Sequence, residues 1–175
     1  MSDLNLGPAA RTRRARAALT LMLALLLGAC GAAVRRDAAD DVRAFLDAVR
    51  VDDVSAIETH LDRKALRADL KAQLLGMPEV ADLHAQLGGG VGDVAVDRMI
   101  VPQVAMLARN GPLVATPKPE PTAVARQLKV VDRRRVCLVD PGVRDLCLLT
   151  FAKQGTAWKL VEAHASGMGF DLPDS

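Results

Sequence analysis

The hydrophobic period of this chain changes once, and the change falls at a proline-rich stretch. Residues 112–121 read Pro-Leu-Val-Ala-Thr-Pro-Lys-Pro-Glu-Pro, an extended polyproline-like connector. Before it, apolar residues recur at helical spacing. Val42, Phe45, Leu46 and Val49 mark a first helix, with Asp37 or Asp40 in place to cap it. Val54, Ile57 and Leu61 mark a short second one. Asp62 precedes a third, with Leu66, Leu70 and Leu74 on one stripe. Arg63, Lys64, Arg67 and Lys71 fall on its other faces and read as solvated. Pro78 opens a further turn or two over 79–87, which Gly88-Gly89-Gly90-Val91-Gly92 breaks. Residues 93–100 are helical again. Pro102 starts one more helix, with Val104, Leu107 and Ala108, and Asn110-Gly111 stops it. After the connector the pattern alternates. Residues 126–131, 134–139, 145–152 and 157–165 read as strands. Their joints are Asp132-Arg133, Asp140-Pro141-Gly142 and Gln154-Gly155. Joints this short make an antiparallel meander. The expected fold is α+β: helices over 40–109, a connector over 110–123, four strands over 126–165, and a tail over 166–175.

The start of the chain carries an address. Arg11, Arg13, Arg14 and Arg16 precede an apolar run over 18–27, and Leu27-Gly28-Ala29-Cys30 closes it. The run suits a signal peptide, which needs about 7–15 apolar residues, and falls short of a membrane span, which needs about 20. The last four residues resemble the lipobox of bacterial lipoproteins. That implies removal of 1–29 as a signal peptide, with palmitate and other acyl chains carried at Cys30. Residues 30–39 then read as a lipidated, flexible tether to a single domain over 40–165. Arg35 and Arg36 fall where anionic headgroups would lie, and an ordinary solvated pair is the other reading. Gly31 follows Cys30 where enteric-type sorting would need Asp to hold a protein at the inner membrane, which points to the outer one.

Cleavage also changes the charge. The whole chain has 23 basic and 21 acidic residues. Removing the four Arg and one Asp of 1–29 leaves 19 and 20, a net charge of −1. The basic balance thus belongs to the signal, and nucleic acid is not an expected partner. Phe45, Phe151, Trp158 and Phe170 are the only aromatic residues, too few for base stacking.

Cys137 and Cys147 lie symmetrically about Gly142. A hairpin centred there sets them opposite one another, where Cβ atoms sit about 4.5–5.5 Å apart and a disulfide needs little adjustment. Export to an oxidising compartment would preserve the bond. A last hairpin about Gln154-Gly155 pairs Phe151 with Trp158 and Leu149 with Leu160 on one face. That face reads either as core beneath the helices or as the lining of an apolar pocket.

Residues 39–165 resemble an uncharacterised family of exported bacterial proteins. The resemblance is carried by residues 39–50, by Leu61-Asp62-Arg63-Lys64-Ala65-Leu66-Arg67-Ala68-Asp69-Leu70, by Val101-Pro102-Gln103-Val104 and by Ala157-Trp158-Lys159-Leu160-Val161. Val101 stands where that family more often has Thr. The element order is also similar to the cystatin-like, nuclear-transport-factor-like cone, which implies a curved sheet wrapped on a helix around an apolar pocket. Isomerases of that fold use an Asp base and a Tyr-containing oxyanion site. This chain has no Tyr, so that mechanism does not transfer.

Chemistry-bearing residues are sparse. His60, His84 and His164 show no metal-ligand spacing, and no serine stands in a nucleophile elbow. Asp40-Asp41 and Asp52-Asp53 read as caps rather than calcium ligands. The glycine run follows a helix and lacks a following Lys-Ser/Thr pair, so it reads as a loop rather than a phosphate cradle. Glu162 and His164 lie two apart on the last strand and share a face. The sequence therefore points to a lipid-anchored envelope lipoprotein on the periplasmic side, with no catalytic residues, metal or cofactor. Its domain would bind an apolar ligand or an envelope protein, through Phe151, Trp158, Leu160, Glu162 and His164. The alternative is a small pocket enzyme, isomerase- or hydratase-like, with Glu162 and His164 as acid and base.

Overall fold

A computed structural model describes residues 31–76, 92–110, 118–139 and 146–164. The chain divides into two compact units, Met1–Ala33 and Val34–Ser175, and nearly all described residues belong to the second. Among the described residues five helices precede the sheet: α1 over 31–50, α2 Val54–Thr59, α3 Arg63–Leu75, α4 Gly92–Asn110 and α5 Pro121–Gln127. Four strands follow, β1 Leu128–Asp132, β2 Arg135–Val139, β3 Cys147–Gln154 and β4 Ala157–Ala163. They form one antiparallel sheet in the order β1-β2-β3-β4. The expected helices-then-meander architecture holds.

One core joins helices and sheet. On the sheet, Val136, Phe151 and Leu160 lie side by side across three strands, and Leu138, Leu149 and Ala163 form the next row. Helix α1 supplies Val42, Phe45 and Val49, and α4 supplies Ile100 and Val104, all fully buried. Phe45 meets Phe151 edge to face at 5.5 Å.

Several sequence expectations are corrected. Residues 31–39 are helical, not a flexible tether. Alanine-rich sequence favours helix there, and the apolar stripe runs back from Val42 through the buried Ala38 to Val34. Asp37 and Asp40 therefore sit inside α1 and cap nothing. The helices expected on either side of Val101-Pro102 are one: Pro102 lies within α4. Proline forfeits a backbone hydrogen bond, but Val96, Ile100, Val104 and Leu107 form one buried stripe that spans it. The strand expected from 126 starts at Leu128, because Pro121 opens α5 at its first turn and Val124 buries it. Asp62 does cap α3, accepting from Ala65 N at 3.0 Å, and Asp53 caps α2, accepting from Ala56 N at 2.9 Å. Arg63, Arg67 and Lys71 are not merely solvated. Arg67 pairs with Asp97 of α4 at 2.6 Å, Lys71 with Asp93 at 3.0 Å, and Arg63 with Glu58. The expected helix over 79–87, the glycine run through Val91, His84 and the Asp140-Pro141-Gly142 joint lie outside the described residues.

Both hairpin registers differ from the symmetric ones. In the last hairpin the turn is Gly155-Thr156, with Gly155 at φ 61°, a conformation that favours glycine. Phe151 therefore faces Leu160, and Lys153 faces Trp158. A bulge leaves Val161 unpaired, because Thr150 faces Glu162. In the β2–β3 hairpin Cys137 faces Thr150, not Cys147, and the register shifts beside Val139. The cysteines still meet: their Cα atoms are 5.5 Å apart and their sulfurs are bonded at 2.05 Å. The bulge brings together two residues that the ladder alone would separate.

The link between α2 and α3 adds a short parallel rung beside β4. Leu160 N donates to His60 O at 2.8 Å, and Asp62 N donates to Leu160 O at 2.9 Å. The rung occupies backbone groups that an edge strand would otherwise leave open.

Candidate functional site

The residues singled out in the sequence separate into a sealed set and a surface set. Phe151, Trp158 and Leu160 are at most 1% exposed and belong to the single core. They share a face, as expected, but that face is packed beneath helices rather than lining an opening.

Trp158 is held from both ends of its side chain. Its backbone N–H donates to Asp41 Oδ2 at 2.8 Å, and its indole Nε1 donates to Asp37 Oδ2 at 3.1 Å. Both acceptors lie on α1, one turn apart. Lys153 completes the arrangement, with Nζ 2.6 Å from Asp37 and 5.9 Å from the centre of the indole ring. The Lys153 ammonium and the indole N–H hold the Asp37 carboxyl below the usual carboxylate range, against the opposing effect of desolvation. This latch docks α1 on the β3–β4 hairpin. The period of the sequence carried no sign of it, because a helical Asp four residues before another reads as a solvated pair.

Glu162 and His164 do not form a couple. Glu162 pairs with Arg135 of β2 at 3.9 Å, and His164 pairs with Asp69 of α3 at 3.8 Å. Asp69 is the more occupied group. It accepts from Ala163 N at 3.0 Å and from Gln73 Nε2 at 2.9 Å, and Gln73 also donates to Ala163 O at 3.0 Å. Asp69 and Gln73 thus satisfy the last backbone groups of β4, a structural duty. A catalytic acid and base must converge on one reacting atom. These two side chains are directed to different elements. Among the described residues no group of three His, Cys, Asp or Glu side chains is placed to hold a metal ion.

His60 sits half-buried, edge-on to Phe45 at 6.5 Å, and burial lowers its pKa from the ordinary 6.5. The Asp41 charge opposes that shift and Lys159 adds to it. Asp62 is lowered by the Ala65 backbone N–H it caps, and Asp132 by its hydrogen bond from Arg135. The sign is the same for all of these groups. A folded pKa below the unfolded value contributes stability above the unfolded value and loses it as pH falls through the folded one. Melting temperature should therefore hold from pH 8 down to the ordinary histidine value of 6.5 and then decline as His60 charges. A steeper decline follows below the ordinary carboxylate value of 3.8, as Asp37 and Asp62 protonate. A melting series across pH checks this. A His60→Gln chain should lose the upper step and keep the lower one.

Residues 23–107 match the model of a family described as a protein of unknown function (DUF2939). No curated protein matches the chain, and no solved structure does. The match covers α1, α2, α3 and most of α4 and stops before the sheet, so it is shorter than the resemblance over 39–165. Residues 23–107, just under half of the chain, are thus similar to that uncharacterised family.

Proposed function

We propose that the chain is a lipoprotein of the bacterial cell envelope, anchored through Cys30, whose domain works by binding and not by catalysis. The observation that carries this reading is the run Leu27-Gly28-Ala29-Cys30 directly behind an arginine-flanked apolar segment. Two structural facts support it. The cysteine pair Cys137–Cys147 suits an oxidising compartment. Among the described residues α1 is helical from residue 31 and buried from Ala38, so the folded domain would lie close to its anchor. No described helix is long and apolar enough to cross a membrane, so an acyl anchor would supply attachment that α1 to α5 do not.

The sealed positions of Phe151, Trp158 and Leu160 favour a protein partner on the surface over an apolar ligand in the interior. The separate pairings of Glu162 and His164 weigh against the acid–base alternative. Metabolic labelling with an alkyne fatty acid tests the anchor. The full chain should take up label and sediment with membranes, and a Cys30→Ala chain should lose the label. Equal labelling of the two would overturn the reading. Membrane extraction in mild detergent, followed by mass spectrometry of what remains bound, would identify the partner.

A further inference from the structure

Basic residues from two distant parts of the sequence meet at one end of the domain. The β1–β2 turn carries Arg133, Arg134 and Arg135, all exposed. Arg134 Nη2 donates to Lys153 O at 3.0 Å, and Lys153 N donates back to Arg134 O at 2.8 Å. Lys153 in turn holds Asp37 of α1 at 2.6 Å. Arg35 and Arg36 are the two residues before Asp37. The hairpin tip and the first turns of the domain's opening helix therefore lie together.

The charges there do not cancel. The six cations are Arg35, Arg36, Arg133, Arg134, Arg135 and Lys153. Against them stand three carboxylates: Asp37, taken by Lys153 and Trp158; Asp132, which accepts from Arg135 Nε at 2.7 Å and from Arg134 N at 2.8 Å; and Glu162, 3.9 Å from Arg135. The next carboxylate along α1, Asp40, faces Arg43. Among the described residues, Arg35, Arg36, Arg133 and Arg134 have no carboxylate partner. The domain as a whole is near neutral once 1–29 is set aside, so this surplus is local.

We infer that this end is a docking face for anionic lipid headgroups, built jointly by the start of α1 and the β1–β2 turn. The inference rests on the lipoprotein reading, since an anchor at Cys30 is what would keep this end against a bilayer. Arg35 follows Cys30 by five residues, and five residues reach at most about 18 Å in any conformation. That upper limit is about two Debye lengths at physiological salt but less than one at about 0.01 M, so the attraction to a charged surface is strongest at low salt. Each cation so placed strengthens binding by about fivefold. The domain would then rest on the membrane in one orientation rather than turn about its anchor.

The test uses the full chain prepared without acylation. Its partition is measured onto phosphatidylcholine vesicles and onto vesicles with about 30% phosphatidylglycerol. The apolar segment 18–27 acts alike in both, and Arg11, Arg13, Arg14 and Arg16 add the same headgroup attraction to every variant, so the fall in the ratio between variants reports the domain's own cations. The ratio should exceed about tenfold at low salt and collapse toward unity at about 1 M salt. Arg36→Glu and Arg133→Glu, exposed residues on separate elements, should each cut it by about tenfold with unchanged circular dichroism. Arg50→Glu lies about 21 Å further along α1 than Arg36 and should leave it within about twofold. A ratio near one for the unaltered chain overturns the inference. So does retention of the ratio by either variant, or an equal loss with Arg50→Glu. Displacement from anionic vesicles by a short DNA duplex of equal charge concentration would overturn it in favour of nucleic acid. Because the ratio is read on unacylated chain, it fails separately from labelling at Cys30.

Discussion

Replacing Trp158 with alanine should destabilise the domain by about 3–5 kcal/mol. Trp158 is the largest fully buried side chain, 1% exposed, and it packs in the same core as Phe45, Phe151 and Leu160. Its removal leaves a cavity that the sheet on one side and α1 on the other cannot both close. It also strips Asp37 of the indole donor. A domain of this size is stable by roughly 5–15 kcal/mol, so the variant should sit close to half-unfolded in mild denaturant. Urea titration followed by circular dichroism measures the loss, because Trp158 is the only tryptophan and its own fluorescence is removed with it. Trp158→Phe separates the two contributions. It keeps most of the apolar area and loses the hydrogen bond, and should cost about 1–2 kcal/mol. A loss below about 1 kcal/mol for the alanine variant would mean the core closes without this side chain.

Removing the Cys137–Cys147 bond should have the second largest effect. The bond spans ten residues. A loop of that length contributes about 2–3 kcal/mol by restricting the unfolded chain. A double Cys137→Ala, Cys147→Ala variant should therefore melt well below the unaltered chain. Alanine is the right replacement, because Cys137 is fully buried and a serine hydroxyl there would want a partner. Treating the unaltered chain with reductant should produce the same drop, together with the mass gain of two hydrogen atoms. If reductant changes neither the mass nor the melting curve, the cysteines are not bonded in solution.

The parts of the fold that follow from period alone were legible. Phe45, Ile57, Leu66 and Leu149 sit in the core where their spacing put them, and Asp53 and Asp62 cap the helices that follow them. What failed depended on long-range packing. Pro102 reads locally as a helix start, yet one buried stripe carries α4 through it. Residues 31–39 lack large apolar side chains, so small buried alanines gave no hydrophobic signal for the extension of α1. Hairpin symmetry placed Cys147 opposite Cys137, but Cys137 faces Thr150, and a one-residue bulge beside Val139 that no residue type announces lies between the two cysteines. The proposed site divided in the same way. Glu162 and His164 share a strand, which sequence shows, but their partners Arg135 and Asp69 come from β2 and α3, which it does not.

The latch between α1 and Trp158 bears on when the domain can fold. The bonds from Lys153 to Asp37, from Trp158 N to Asp41 and from the indole to Asp37 join residues 116, 117 and 121 positions apart. The first described helix is thus completed by the last described hairpin. Closing so large a loop must precede any reward from these contacts, which slows folding. A growing chain that has not yet reached β4 keeps the apolar face of α1 open and holds no finished core. Such a chain cannot form the latch until the final hairpin has been made.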